Sequence, residues 1–347
     1  MISDSALFMF GIQGKSLLPQ EIQWLKHPLT AGVILFTRNY EHPAQIRALV
    51  KTLRATAAHE LLIAVDHEGG RVQRFRQGFT SIPPMAELGL AYDQNPENGL
   101  QLAQAMGYVM AYEIGDCDID FSFAPVLDVQ TDFSTIIGDR AFHTDVKHIA
   151  PLASAFYAGM RQAGTAGVGK HFPGHGNVVA DSHIQLPVSH ATLDHLQQTD
   201  LPPFVELIRE GIEAIMPAHI LYKAVDNLPA GFSRVWLVDI LRKQLGFDGC
   251  IISDDLDMAG AAAYGDMPAR VKLAEKYCDL ILLCNNHEHM QLAYASQTAR
   301  PNQPRQARLQ ALKRNPQAHN SESYQSALAT VRTFNATLFA SGAEKSV

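Results

Sequence analysis

At 347 residues, with 47% hydrophobic and 18% charged side chains, the chain carries ample apolar material for a sizeable core and lacks the composition of a disordered protein. Its formal net charge of −7 argues against a general nucleic-acid binder, which needs a basic face to displace counterions from phosphates, and favours a small or neutral substrate. The four cysteines show no CxxC pairing and read as reduced, buried thiols.

The N-terminal stretch MISDSALFMFGIQG has an apolar run but neither a basic flank nor a small-residue cleavage pattern, so no export signal is read. Nothing downstream reaches the roughly 18 uninterrupted apolar residues of a membrane helix, so a soluble, cytoplasmic chain without an integral membrane segment is expected. Short apolar runs then alternate with longer stretches of helical periodicity. The runs predicted as strands are Ala6 to Gly11, Gly32 to Phe36, Leu61 to Val65, Ile119 to Ala124, Ala166 to Lys170, Glu213 to Pro217, Cys250 to Ser253 and Asp279 to Cys284. They are apolar throughout rather than alternating, as parallel strands buried on both faces should be.

Between them, Pro43 to His59 places Ile46, Leu49, Val50 and Leu53 at helical spacing. Arg234 to Leu245 has Ser233 as its expected N-cap and Gly246 just past its end. Strand and helix in alternation imply parallel pairing through right-handed crossovers, and eight such units make an α/β, single-domain (β/α)8 TIM barrel. An open doubly wound sheet is the competing fold, but Gly11-Ile12-Gln13-Gly14 does not complete a GxGxxG phosphate loop. One domain spanning 1–347 is expected, with 296–347 a polar C-terminal helical extension packed on the barrel. Its basic stretch from Arg305 to Arg314 reads either as a solvated helix face or as a surface for an anionic partner.

In a barrel of this kind chemistry lies at the carboxyl ends of the strands. The third run ends in Asp66, His67 and Glu68, then a Gly-Gly turn with Arg71 and Arg74: a dense polar set, or a structural ion-pair network. The fifth ends in Lys170-His171-Phe172-Pro173-Gly174-His175-Gly176-Asn177 and a loop reaching Asp181-Ser182-His183. Its histidines invite a metal reading, yet the HExxH and His-x-His patterns of hydrolytic zinc sites are missing, and no metal is expected. The seventh delivers Asp254 and Asp255, which cannot both face a cavity, and one is expected to cap a turn. Arg140, in Gly138 to His143, could hold a carboxylate, a sugar hydroxyl or a loop carbonyl.

In this order VDHEGGRVQRF, GDRAFH, KHFPGHG with DSH, and SDDLDM closely resemble glycoside hydrolase family 3, specifically its bacterial β-N-acetylhexosaminidases, the single-domain enzymes of peptidoglycan recycling. The resemblance runs over roughly residues 5 to 290. It implies a retaining exo-β-N-acetylglucosaminidase that removes terminal non-reducing N-acetylglucosamine from peptidoglycan fragments such as GlcNAc-1,6-anhydro-MurNAc-peptides. It implies Asp254 as nucleophile of a covalent glycosyl intermediate, with His183 as general acid/base tuned by Asp181. Asp66, Arg74, Arg140, Lys170 and His171 match sugar-binding positions. His67, Asn177 and Ala141 stand where relatives often carry Gln, an acid and Ser, which touches only fine specificity. A monomer acting on a small muropeptide or sugar, with no cofactor, is expected.

Residue types alone would pair Asp254 with Glu68, Asp66 or Asp181, because retention usually uses two carboxyl groups about 5 Å apart. An imidazole serves equally well as proton donor and acceptor near neutral pH, and its loop could close over bound substrate. Alternatives on the same scaffold are a phosphorolytic enzyme, a β-glucosidase, a metal-dependent amidohydrolase using the histidine-rich segment, and a catalytically silent sugar-binding barrel.

Overall fold

A computed structural model describes residues 1–344 apart from 132, 133, 135, 176, 177 and 179–185, with side chains described to Leu338. Eight strands carry the parallel ladders of the two larger sheets: β1 (Phe8–Gly11), β2 (Thr30–Leu35), β3 (Leu62–Val65), β4 (Phe121–Ser122), β5 (Val168–Phe172), β6 (Ala214–Pro217), β7 (Cys250–Ile251) and β8 (Ile281–Leu283). They form a five-stranded sheet in the order β8-β1-β2-β3-β4 and a three-stranded sheet in the order β7-β6-β5. Isolated parallel bridges, Phe121 to Ala166 and Ile252 to Leu280, join the two sheets at their edges. The fold is therefore α/β with parallel sheets, and its ladders do not run as one closed sheet.

Several strands are shorter than their apolar runs, and inside three of them side chains supplement the ladder hydrogen bonds. Asp120 Oδ2 accepts the N–H of Ile63, Asp279 Oδ2 that of Ile251, and Ser253 Oγ that of Leu282. Each of these bonds gives a buried backbone N–H a side-chain acceptor. The fifth strand is shifted two residues along from its apolar run, Val168–Phe172, and so takes in His171 as well as Lys170.

Alternate strand residues feed two different cores. Met9, Ile34, Ala64, Phe121, Val168, Met216, Ile252 and Leu282 form one cluster with their counterparts on neighbouring strands. Phe8, Phe10, Val33, Val65, Phe172 and Ile251 turn the other way, against the helices. Each such side chain, fully buried, contributes about 1.5–3 kcal/mol relative to exposure. This two-sided burial explains the unbroken apolar runs.

Helix Pro43–Thr56 forms as predicted and buries Ile46, Leu49, Val50 and Leu53. The segment Val235–Gln244 is a π-type helix rather than α. Ser233 does cap it, its Oγ accepting the Trp236 N–H, and Gly246 ends it at φ +72°. Helices Pro96–Asp116 and Val146–Gln162 cross backbone to backbone, since a Cβ on Gly107 would lie 2.0 Å from the Phe156 carbonyl oxygen. Helix Ser321–Glu344 lies on Pro96–Asp116, burying Leu328 and Val331, with Tyr324 donating to Glu113. Leu309 and Leu312 enter the inner strand cluster from below. All four cysteines are buried and free, and no described helix is long and apolar enough to cross a membrane.

Candidate active site

A cavity of about 560 Å³ opens at the carboxyl ends of the strands. Asp66, Arg74, Arg140, Lys170, His171 and Asp254 all line it, together with Phe36, Asp255, Cys284 and Asn285. These six come from the ends of four apolar runs or the loops after them, so the topology gathers side chains up to 188 positions apart.

Asp66 stands one residue past β3. Its Oδ1 accepts from Lys170 Nζ at 2.9 Å and its Oδ2 from Arg74 at 3.0 Å. Burial opposes its charge, but Lys170 and Arg74 outweigh that and hold the carboxyl well below its ordinary range. Glu68 faces Lys170 at 2.5 Å and takes Arg140 in a two-pronged pair at 2.7 and 2.8 Å. Its carboxyl is lowered in the same manner, Arg140 and Lys170 overcoming burial. Three cations thus serve two carboxylates in one chain from Arg74 to Arg140. The segment forms an ion-pair network and also lines the cavity: Glu68 is buried, while Asp66 is among the lining residues.

Asp128, in the loop after β4, was not singled out for a role from the sequence. Its Oδ2 lies 2.7 Å from His171 Nδ1, and its carboxylate also accepts the backbone N–H groups of His171 and His175. Burial would raise its carboxyl, but His171 and these hydrogen bonds hold it below the ordinary value, so it is ionised and His171 Nδ1 must be the donor. The signal was an acid shortly past the fourth apolar run, after Pro125, Val126 and Leu127. His175 stacks edge-on to His171 at 5.7 Å, and its pKa falls to about 4 through burial and the neighbouring His171.

The two adjacent acids past β7 separate clearly. Asp254 lines the cavity, with its Oδ1 accepting the Asp255 N–H at 2.8 Å. Asp255 is turned into the backbone, where its Oδ1 accepts the N–H groups of Asp257 and Cys284, both at 3.1 Å. Its carboxyl is pushed up to about 7 by burial, then by Asp257 and Asp254. The expected capping role thus falls to Asp255, as a turn bond plus a tie to β8. His219, also missed from sequence, is buried beside this turn with Nε2 3.2 Å from the Asp255 carbonyl oxygen. Arg38 braces the opposite wall, donating to the Cys284 carbonyl and to Asn285 Oδ1 while lying over Phe36.

His67 does not reach the cavity. It packs among Phe75 and Phe79, and burial with Arg76 nearby lowers its pKa to about 3, which keeps it neutral. Asp181, His183 and Asn177 lie outside the described residues.

Among the described residues, one group of donors could converge on a metal: Asp93, His143 and His148, on the outer surface. His143 Nε2 and His148 Nδ1 lie 3.0 and 3.3 Å from the Asp93 oxygens. However, His143 Nδ1 accepts the Asp145 N–H, which puts the ring proton on Nε2, toward Asp93. That is the arrangement of a hydrogen-bonded pair, not of a ligand with a free lone pair.

Residues 13–335 match the profile of the glycosyl hydrolase family 3 N terminal domain. The chain is 52% identical over 278 residues to a β-hexosaminidase of Methylobacillus flagellatus, covering 80% of each sequence. It is similar to the native NagZ structure from Neisseria gonorrhoeae at 39% identity and a TM-score of 0.89, over 95% of this chain and 97% of that one. The same Neisseria gonorrhoeae protein in complex with N-trifluoroacetyl-D-glucosamine aligns at 39% identity and a TM-score of 0.88, over 95% of this chain and 98% of that one.

Proposed function

The chain belongs to glycosyl hydrolase family 3, and from that premise we propose that this glycoside hydrolase, of the β-hexosaminidase kind, is a retaining exo-β-N-acetylglucosaminidase with Asp254 as nucleophile. The observation that carries the reading is the division of labour at the tip of β7. Asp255 is tied off by backbone donors, whereas the Asp254 carboxylate accepts one N–H among the described residues and lines the cavity where Asp66 already sits between two cations.

Asp254 attacks the anomeric carbon while the leaving oxygen takes a proton from His183, giving a glycosyl-Asp254 ester. The same imidazole, held by Asp181, then removes a proton from the water that cleaves the ester. Asp66 uses two of its roughly four lone-pair directions on Lys170 and Arg74, leaving the others for sugar hydroxyls. Arg74, Arg140 and Lys170 carry the remaining polar groups of the sugar. His171, whose Nδ1 is committed to Asp128, offers its Nε2.

The N-acetylglucosamine end of the substrate rests on the likeness to a NagZ structure solved with an N-acylglucosamine analogue. The peptidoglycan-fragment leaving group rests on the sequence resemblance, as does a monomeric, cytoplasmic enzyme, with which four buried free thiols agree. We also infer that the strands close into a (β/α)8 barrel of one domain. The two bridges that join the sheets and the inner cluster fed by both sheets support that closure.

The test is hydrolysis of a chromogenic β-N-acetylglucosaminide by the wild type and Asp254→Ala. A loss of at least about a thousandfold is expected, about 4 kcal/mol of transition-state stabilisation. A 5-fluoro glycosyl fluoride of the same sugar should label a peptide at Asp254. Unchanged turnover, or a label on Asp255, would overturn the assignment.

A further inference from the structure

At the opposite end of the strands, a second cavity of about 630 Å³ lies beneath the starts of β1, β2 and β8, lined by Leu7, Leu29, Lys272, Glu275, Arg300 and Arg305 among others. It adjoins a smaller one of about 250 Å³ with which it shares Glu275, Asn302 and Arg305. Its volume is that of an ordinary small-molecule site.

The charges of this base run against those of the chain. Around the two cavities stand six cationic side chains and two carboxylates, on a protein of net charge −7. Asp279 answers Arg242 at 2.8 Å and Arg308 at 3.2 Å. Arg308 also pairs with Asp248, while Lys313 and Arg314 farther along the basic stretch face Glu60 and Asp118. Lys272, Lys276, Arg300 and Arg305 make no ion pair among the described residues, and Glu275 is the one carboxylate left beside them. Arg305 is the exception within the basic stretch: its Nε is buried with no hydrogen-bond partner. Burial weighs against its charge, a cost that an anion held at the guanidinium would offset.

We propose that this base cavity is a binding site for a small, multiply charged anion of the phosphate class, held by Arg305 and Arg300 with Lys272 at the rim. Leu7 and Leu29 supply an apolar floor beneath it. The Asn302 side chain already caps helix Gln303–Gln310 through the Arg305 N–H, so recognition falls to the cationic side chains and not to the helix end. A guanidinium fork suits phosphate oxygens, and the placement of three cations around one cavity favours two or more negative charges over one.

The probe is inorganic pyrophosphate, titrated calorimetrically into the full-length protein at low ionic strength. Saturable binding with Kd below about 1 mM is expected, weakened at least tenfold in Arg305→Gln and in the double variant Lys272→Gln/Arg300→Gln. The latter changes only exposed side chains and keeps the test valid if the Arg305 variant folds poorly. Hydrolysis of a β-N-acetylglucosaminide should be unchanged in the double variant. No saturable binding, equal affinity in the double variant, or displacement of pyrophosphate by N-acetylglucosamine would overturn the proposal.

Discussion

Replacing Lys170 by Met tests whether the buried ion chain is what holds the site in shape. The Lys170 side chain is 3% exposed, and its ammonium lies 2.5 Å from Glu68 and 2.9 Å from Asp66. Met fills much the same space but leaves Glu68 to Arg140 alone and Asp66 to Arg74 alone. Removing one partner of a buried ionic group typically costs about 3–5 kcal/mol, because the remaining charges stay desolvated. Urea unfolding at neutral pH should register that loss as a lower midpoint with an unchanged slope. The acid limb supplies an independent readout. In the native protein the Asp66 and Glu68 carboxyls sit below their ordinary values, so they contribute stability that is fully present above the unfolded-state pKa values, about 4, and is lost as pH falls below them. Without Lys170 the burial that opposes both charges gains ground, and acid unfolding should begin at higher pH. Glu68→Gln combined with Lys170→Met should lose less than the sum of the two single variants, since the pair is removed together. A single variant that loses under about 1 kcal/mol and keeps the wild-type acid midpoint would refute the argument, leaving packing rather than charge as the support.

Asp128→Asn should keep the fold but release His171 Nδ1 from a charged acceptor, lowering kcat by roughly 10–100-fold, the equivalent of one charge-assisted hydrogen bond; steady-state assays with a chromogenic substrate check it. Asp255 carries a folded pKa of about 7, raised above its unfolded value, so it favours the fold below about pH 4 and loses that contribution as pH rises to about 7. Urea midpoints measured across this range should therefore fall less steeply with pH in Asp255→Asn than in the wild type. Gly107→Ala should destabilise by about 1–3 kcal/mol through overpacking against the Phe156 carbonyl, read as a lower Tm with activity per folded molecule unchanged.

The alternation of apolar runs and helical stretches was legible because both faces of every strand are buried, which writes β2 and β3 as unbroken Thr30–Leu35 and Leu62–Val65. Strand ends were less legible: of the runs Ile119 to Ala124 and Cys250 to Ser253 only Phe121–Ser122 and Cys250–Ile251 form ladder, and an apolar run does not mark where pairing stops. The π-type winding of Val235–Gln244 leaves no mark in the spacing of its apolar residues, though its cap at Ser233 and its stop at Gly246 do. Closure of the strands depends on bridges between residues such as Ile252 and Leu280, and no local sequence rule reports a pairing of that kind.

The site residues divide by the same logic. A charged residue at the end of an apolar run announces itself, and Asp66, Lys170 and Asp254 could be named from that position alone. Which of two neighbouring acids is left open to a substrate is a different question, because both line the cavity and a donor distant in sequence engages one of them. Asp255 is engaged by the N–H of Cys284, just past β8, and burial, then Asp257 and Asp254, raise its pKa. Had Asp255 been exposed and Asp254 tied to β8, the same SDDLDM string would have assigned the opposite roles. His171 and Asp128 make the same point from the other side of the cavity. Forty-three positions separate them, yet the ionised Asp128 alone decides which nitrogen of His171 is free to meet a substrate. The motif names the groups, and the hydrogen bonds between strand ends decide what each of them can do.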